Sequence, residues 1–358
     1  MKTEITDALI YFSNCCNLDC SYCFVPKETE KRLSWEQIEA FFTWFLKQPA
    51  RLKRIGIAGG EPLLELGLIK KTFSFLRENN LYDYRKITMS DIFTNGTILN
   101  KEILDLLRKE NVGLGFSLDG SQTSNRNRKF KNGGDSFEVV WKNMLKYRNE
   151  INHQPSISIT ITPNNAHRFY SNIKFLLDNE FYKIKFSPAV ISGKWTDQLV
   201  DIFISEFKKV ITYYKFLVET KKDIPLRFLD NLFNQIKKEG FFNCSLGRQM
   251  VLSYDGNVYA CPLAQSFDQE FKDLVHVGNP LEAIDLEKLA SLIDCDFLKR
   301  SRFKDSCASP YIRDVDRMAC SLFEKHGILA DNDHVKAITK LFLQINKEIT
   351  GSFKKEYS

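Results

Sequence analysis

The sequence predicts an α/β protein: an incomplete, parallel (β/α)6 barrel followed by a smaller α+β domain. Three observations predict it. β-rich runs alternate six times with helical patterns. The residues after each run are of the turn-forming or polar types that occupy the C-terminal rim of such barrels, where their active sites gather. Beyond residue 243 the helices give way to short β-rich segments punctuated by cysteine.

The runs 8–12, 54–58, 87–93, 112–118, 156–162 and 182–188 read as strands, and 35–48, 67–79, 100–110, 136–149, 165–178 and 196–219 carry apolar residues at helical spacing. Regular βα alternation implies a parallel sheet. A cysteine loop follows the first strand, Gly59-Gly60-Glu61-Pro62 the second and Thr94-Asn95-Gly96 the third. The fourth ends in Ser117-Leu118-Asp119-Gly120, the fifth in Thr162-Pro163-Asn164 and the sixth in Ser187-Pro188. Any one of these is ordinary turn chemistry, but all six on one rim point to a shared site. The expected boundaries are a barrel over 1–220, a helical linker over 221–243, a cysteine-bearing domain over 244–330 and a final helix over 331–358.

With 358 residues, 43% of them hydrophobic, the chain can bury a barrel-sized core with room for one smaller domain. It contains neither a basic-led apolar N-terminal run nor an apolar stretch of about eighteen residues, which excludes a signal peptide and a membrane helix. Nine cysteines without a secretory signal point to metal ligation in a reducing compartment, so a cytoplasmic, oxygen-sensitive protein is expected. The net charge of +6 is dispersed among acidic residues and demands no nucleic acid. The densest basic cluster, Arg126, Arg128, Lys129 and Lys131, falls in a loop, where it reads as a solvated face or an anion site.

Cys16, Cys20 and Cys23 form a C-x3-C-x2-C run directly behind the first strand. Structural zinc closes with four ligands, and an iron-sulfur cluster that only carries electrons has a cysteine on each iron. Three thiolates on a four-iron cluster leave one iron open. This spacing resembles the radical S-adenosylmethionine (SAM) superfamily. The resemblance implies a partial barrel fold and a [4Fe-4S] cluster whose free iron binds the amino and carboxylate groups of SAM. It further implies that an electron from the reduced cluster splits SAM to a 5′-deoxyadenosyl radical, which abstracts hydrogen from the substrate.

The same resemblance assigns residues. Gly59, Gly60 and Glu61 match a motif whose backbone contacts the SAM amino group, Ser117 a position whose hydroxyl reaches SAM, and Tyr22 a position lining the adenine. The loop from Asp119 to Arg128 resembles one in which an arginine holds the SAM carboxylate. Arg128 is the choice there and Arg126 its competitor, because a guanidinium pairs bidentately with a carboxylate. Thr94 and Asn95 are expected ribose contacts.

Downstream, Cys244 and Cys261 flank β-rich segments joined by Asp255-Gly256-Asn257, which reads as a hairpin. The block resembles the start of the SPASM and twitch extensions of radical SAM enzymes, which hold auxiliary iron-sulfur clusters. The full SPASM cysteine pattern breaks at Pro310 and Asp316, so one auxiliary cluster, expected as [4Fe-4S], is implied. Its ligands would be Cys244, Cys261 and Cys320, with Cys307 as the fourth and Cys295 as its rival; a zinc knuckle at the same cysteines is the alternative. Cys15 reads as a buried small hydrophobe or as a thiol hydrogen donor, a role Cys295 could equally serve.

Enzymes with such extensions act mostly on peptides or proteins, so cross-linking, oxidation or epimerisation of a ribosomally made peptide is the leading expectation. Sulfatase-maturing members carry a basic aspartate where this chain has Pro262. A leader-binding domain is not expected before the first strand, which leaves leader recognition to another region or a separate protein. A flavodoxin or ferredoxin is the expected electron donor. The rival readings are a dehydrogenase of a sugar-like small molecule and a non-catalytic iron-sulfur electron carrier; the second leaves the Gly-Gly-Glu-Pro turn and the open iron unexplained.

Overall fold

The structure, a computed structural model, describes residues 4–27, 29–79, 86–151, 153–189, 193–220, 248–262, 264–266 and 269–294, together with 337, 340, 341, 344 and 348. The chain divides into two compact units. The first comprises Met1–Ser117, Arg128–Ser156 and Ser245–Cys295, and the second Leu118–Asn127, Ile157–Cys244 and Asp296–Ser358.

In the first unit, β1 (Asp7–Tyr11) pairs in parallel with β2 (Lys53–Ala58), which pairs in parallel with β3 (Ile87–Met89). The run read as one strand over 87–93 is two. Ser90 N–H still bonds to Ile55 O, but Ile92 N–H bonds to Gly113 O, so β4 (Ile92–Thr94) pairs with β5 (Leu114–Ser117). The alternation of Ile87 and Met89 stops at the polar pair Ser90-Asp91, and burial resumes one residue out of phase at Ile92 and Thr94, a slip that reading 87–93 as a single strand passes over.

Four helices of this unit are α1 (Trp35–Lys47), α2 (Leu66–Glu78), α3 (Lys101–Glu110) and α4 (Phe137–Ile151). Two of their starts are written in side chains. Ser34 and Gln37 form a reciprocal capping box on α1, and Asn100 accepts the N–H of Ile103 on α3. α1 buries Ile38, Phe41, Phe42, Phe45 and Leu46, an apolar stripe that supplies much of the core on that side.

The other edge of β1 is closed by a strand from far along the chain. β8 (Gln249–Leu252) pairs in parallel with β1. It then turns at Gly256 (φ +84°) into the antiparallel β9 (Val258–Tyr259), followed by β10 (His276–Asn279) and β11 (Ala283–Ile284). The hairpin expected from Asp255-Gly256-Asn257 therefore forms and joins the sheet of β1. Helices α7 (Gln269–Val275) and α8 (Leu286–Asp294) complete this segment. The proposed linker and most of the proposed C-terminal helix lie outside the described residues.

In the second unit, β6 (Ser156–Ile161) pairs in parallel with β7 (Ile184–Pro188), and α5 (Phe169–Asp178) packs with α6 (Asp197–Thr220). Phe169, Phe186, Phe203 and Phe207 cluster there with ring centroids 4.8–6.3 Å apart. Residues 337, 340, 341, 344 and 348 are helical; Ala337 and Leu341 are buried, and Lys340 pairs with Asp197 and Asp201 at 3.5 and 3.1 Å.

Candidate functional site

The parallel register of β1 and β2 determines what meets at their C-terminal ends. Tyr11 lies opposite Ala58, so the cysteine loop and the Gly59-Gly60-Glu61 turn leave the sheet side by side. Gly60 N–H donates to Ser13 O at 2.9 Å and Glu61 N–H to Cys15 O at 2.7 Å. A Cβ on Gly60 would stand 2.2 Å from Cys15 O and 2.6 Å from Asn14 O. In this structure the glycine makes room for the backbone of the cysteine loop.

The loop has its own internal tie. Asn14 donates through Nδ2 to Pro26 O at 3.0 Å and Thr29 O at 2.6 Å, while its Oδ1 accepts Lys31 N–H at 2.7 Å. On its far side the loop forms a short antiparallel clip with 129–131. Leu18 bridges Phe130, Asp19 N–H donates to Lys129 O at 2.7 Å and Lys131 N–H donates to Asn17 O at 3.3 Å.

Within this frame Cys15 is buried, Cys16 and Cys20 are half-buried and Cys23 is exposed. Burial raises the Cys16 thiol above its ordinary value, and the N–H of Leu18 and the amide of Asn95, at 3.4 and 3.5 Å from Sγ, push it back down. Those donors favour the thiolate that iron requires. The Cys15 thiol is raised by burial and interacts with Ser13, Arg32 and Glu30.

Glu61 is fully buried. Its carboxylate accepts Thr94 Oγ1–H at 2.7 Å, Asn95 N–H at 2.6 Å and Leu63 N–H at 3.0 Å, which ties the end of β2 to the end of β4. Burial raises it to about 6 against the opposing pull of those three bonds. Thr94 and Asn95, expected as ribose contacts, direct their side chains into the protein. Thr94 Oγ1 donates to Glu61 and accepts Gly96 N–H at 3.1 Å. The Asn95 amide bonds Cys16, Asn17 and Thr97.

Arg128 is 7% exposed, with its guanidinium carbon 5.2 Å from the ring centroid of Tyr22, the residue between the last two cysteines. Arg126 is exposed on the 3-10 turn Asn125–Asn127. Ser117 closes β5, half-buried. Cys261, after β9, is completely buried and raises the neighbouring Tyr11 hydroxyl together with Tyr254, both after burial itself. Around it Tyr254 donates to Gln265 at 2.9 Å, Gln265 to Ser253 at 2.6 Å and Tyr259 to Asp255 at 2.8 Å. Cys244, Cys295, Cys307 and Cys320 lie outside the described residues.

Asn14, Asn17 and Thr97 are site residues that the sequence reading missed. Their only signal was polar residues beside Cys16 and beside Asn95 at strand ends. Among the described residues no three His, Cys, Asp or Glu side chains converge on a single ion, whereas each thiolate of a four-iron cluster serves its own iron. Three accessible thiols on one braced loop, one of them receiving N–H donors, are a donor set that fits such a cluster.

Residues 10–176 match the family model of the radical SAM superfamily, and the chain carries a radical SAM domain. Enzymes of that superfamily use a [4Fe-4S] cluster and SAM (AdoMet). The chain is similar to a cysteine-type anaerobic sulfatase-maturating enzyme of Clostridium perfringens, with 27% identity over 273 residues, 70% of this chain and 72% of that one. The solved structure of native anSMEcpe with bound AdoMet superimposes with a TM-score of 0.73 at 20% identity, covering 98% of this chain and all of that one. Streptococcus suis SuiB bound to its precursor peptide SuiA gives 0.56 at 16% identity, over 87% of this chain and 71% of that one. These likenesses agree with the α/β fold and parallel strands expected from the sequence, and with a partial barrel. No helix among the described residues is long and apolar enough to cross a membrane.

Proposed function

We propose that this chain is a peptide- or protein-modifying radical SAM enzyme that cross-links, oxidises or epimerises a residue of a ribosomally made peptide. The observation that carries the reading is the braced cysteine loop, held between the Gly60-Glu61 turn and the 129–131 segment with Arg128 buried against Tyr22. The substrate class is supported by a sulfatase-maturating relative and by a similar fold bound to a precursor peptide. When bound, the cluster and SAM supply reductive cleavage of the sulfonium and a radical that abstracts hydrogen.

The protein's own part is positional. Cys16, Cys20 and Cys23 hold the cluster. Gly59, Gly60 and Glu61 hold the backbone against the cysteine loop and would contact the SAM amino group through that backbone. Arg128 would pair with the SAM carboxylate, its guanidinium set over the Tyr22 ring, while Tyr22 and Ser117 would line the cofactor. Cys261 would hold an auxiliary cluster with Cys244, Cys320 and either Cys307 or Cys295. Pro262 offers no proton acceptor beside it, so a reaction that needs a base must find it elsewhere. A cytoplasmic flavodoxin or ferredoxin supplies the electron.

The test is anaerobic incubation of reduced protein with SAM, with 5′-deoxyadenosine as the readout, followed by mass spectrometry of peptides encoded beside the gene. Formation of 5′-deoxyadenosine excludes a simple electron carrier. A peptide whose mass changes only with active protein establishes the substrate class, and turnover of a small sugar-like molecule instead overturns it.

A further inference from the structure

We infer that Asn95 is a positioning residue that donates an N–H···S hydrogen bond to Cys16 and thereby sets the reduction potential of the cluster; this rests on the reading of Cys16 as an iron ligand. Asn95 is the first residue after β4 and is 7% exposed. Which end of its amide faces the sulfur follows from its neighbours. The backbone N–H of Thr97 can only donate, and it lies 2.9 Å from Asn95 Oδ1. The oxygen is therefore turned to Thr97, which turns the NH2 to Cys16 Sγ at 3.5 Å and Asn17 Oδ1 at 2.8 Å.

The ring closes without a conflict of donors. Asn17 Nδ2 donates to Thr97 Oγ1 at 2.8 Å, and Thr97 Oγ1 donates its own proton to Asn95 Oδ1 at 2.6 Å. The backbone of Asn95 is pinned separately by Glu61 at 2.6 Å. Flipping any amide in the ring would set donor against donor or acceptor against acceptor, so the orientation is held from three sides. Leu18 N–H reaches the same sulfur at 3.4 Å.

Hydrogen bonds to ligand sulfur are one of the levers that set iron-sulfur potentials. Reduction adds negative charge to the cluster and its sulfurs, and an N–H dipole stabilises that charge more in the reduced state than in the oxidised one. Asn95 thus makes electron uptake easier, and it does so from the strand-end position expected to touch ribose.

The test uses the full chain with its cluster reconstituted anaerobically and without SAM. In wild-type protein carrying 15N at asparagine side chains, pulsed EPR of the reduced cluster is expected to show a weakly coupled nitrogen that changes with the label. Asn95→Asp keeps the size and the acceptor toward Thr97 but removes the N–H. Its midpoint potential is expected to fall by on the order of tenfold in the reduction equilibrium, about 59 mV for one electron. Asn95→Leu separates the lost donor from the added charge and should shift in the same direction. An unlabelled spectrum indistinguishable from the labelled one overturns the inference, as does an unchanged potential in iron-replete variants. If neither variant takes up iron, the wild-type spectrum decides. A Cys16→Ala protein with full iron and an unchanged cluster signal would instead overturn the ligand assignment on which the inference rests.

Discussion

At the residue scale, two glycines seven positions apart have opposite expectations. Gly60→Ala drives a Cβ into two backbone carbonyls of the cysteine loop, neither of which can swing away, and should cost on the order of 3 kcal/mol and impair cluster loading. Gly67 sits exposed at the start of α2 with nothing within 4 Å of the corresponding Cβ, so Gly67→Ala should stabilise by about 0.5–1 kcal/mol. Urea denaturation of both apo-proteins checks the pair. Glu61 gives a pH signature. Its carboxyl titrates near the ordinary 4.5 when unfolded and at about 6 when folded, so the native state binds the proton more tightly. Its contribution is most favourable below pH 4.5, is lost as pH rises to about 6 and is level above. The interval corresponds to about 2 kcal/mol. The stability of wild type relative to Glu61→Gln should therefore decline by about that amount between pH 4 and 7. Arg128→Lys should weaken SAM binding while exposed Arg126→Lys should not, which titration calorimetry of the reconstituted protein would read. Much of this site was legible because the Cys16, Cys20 and Cys23 spacing is a local chemical pattern. The tasks of Asn14, Asn17 and Asn95 were not, because an asparagine at a strand end looks the same whether it faces a ligand, a turn or a sulfur.

At the scale of elements, the α1 terminus and the β8–β9 turn form one joint. Gln37, which completes the capping box, lies where a Cβ on Gly256 would come within 2.2 Å of its Nε2. Gly256→Ala should cost on the order of 1–2 kcal/mol, part from the φ of +84° and part from the collision. In a Gln37→Ala background the collision is relieved and only the backbone part should persist. A double-mutant cycle in urea measures the difference, and equal costs in both backgrounds would show that the two elements do not meet. The helices were readable from sequence to within a residue or two at most ends, since Ser34 and Asn100 announce their starts and the apolar stripes run to their ends. The division of 87–93 into β3 and β4 was not, nor was the seat of β8 beside β1. The first shows only as a one-residue slip of the alternation at Ser90-Asp91, and the second depends on which distant backbone supplies the hydrogen bonds, a choice that leaves no mark on the strand's own side chains.

At the scale of the whole molecule, the ligand sets should be separable. Replacing Cys16, Cys20 and Cys23 with alanine should remove about four irons per chain and abolish 5′-deoxyadenosine formation, whereas Cys261→Ala should leave the EPR signal of the first cluster in place and stop product formation. Iron analysis with paired assays of product and 5′-deoxyadenosine distinguishes the two. The pairing of β1 with β8 reaches further than the sheet. Residues 7–10 are made before their partners 249–252, which lie roughly 240 residues later, about 12–50 s at ordinary elongation rates. Throughout that interval one edge of β1 stays open, and the cysteine loop it leads into lacks a completed sheet behind it. Iron loading is thereby placed after synthesis of the C-terminal hairpin, and nascent chains are the form in which these thiols are most open to oxygen and to stray metal.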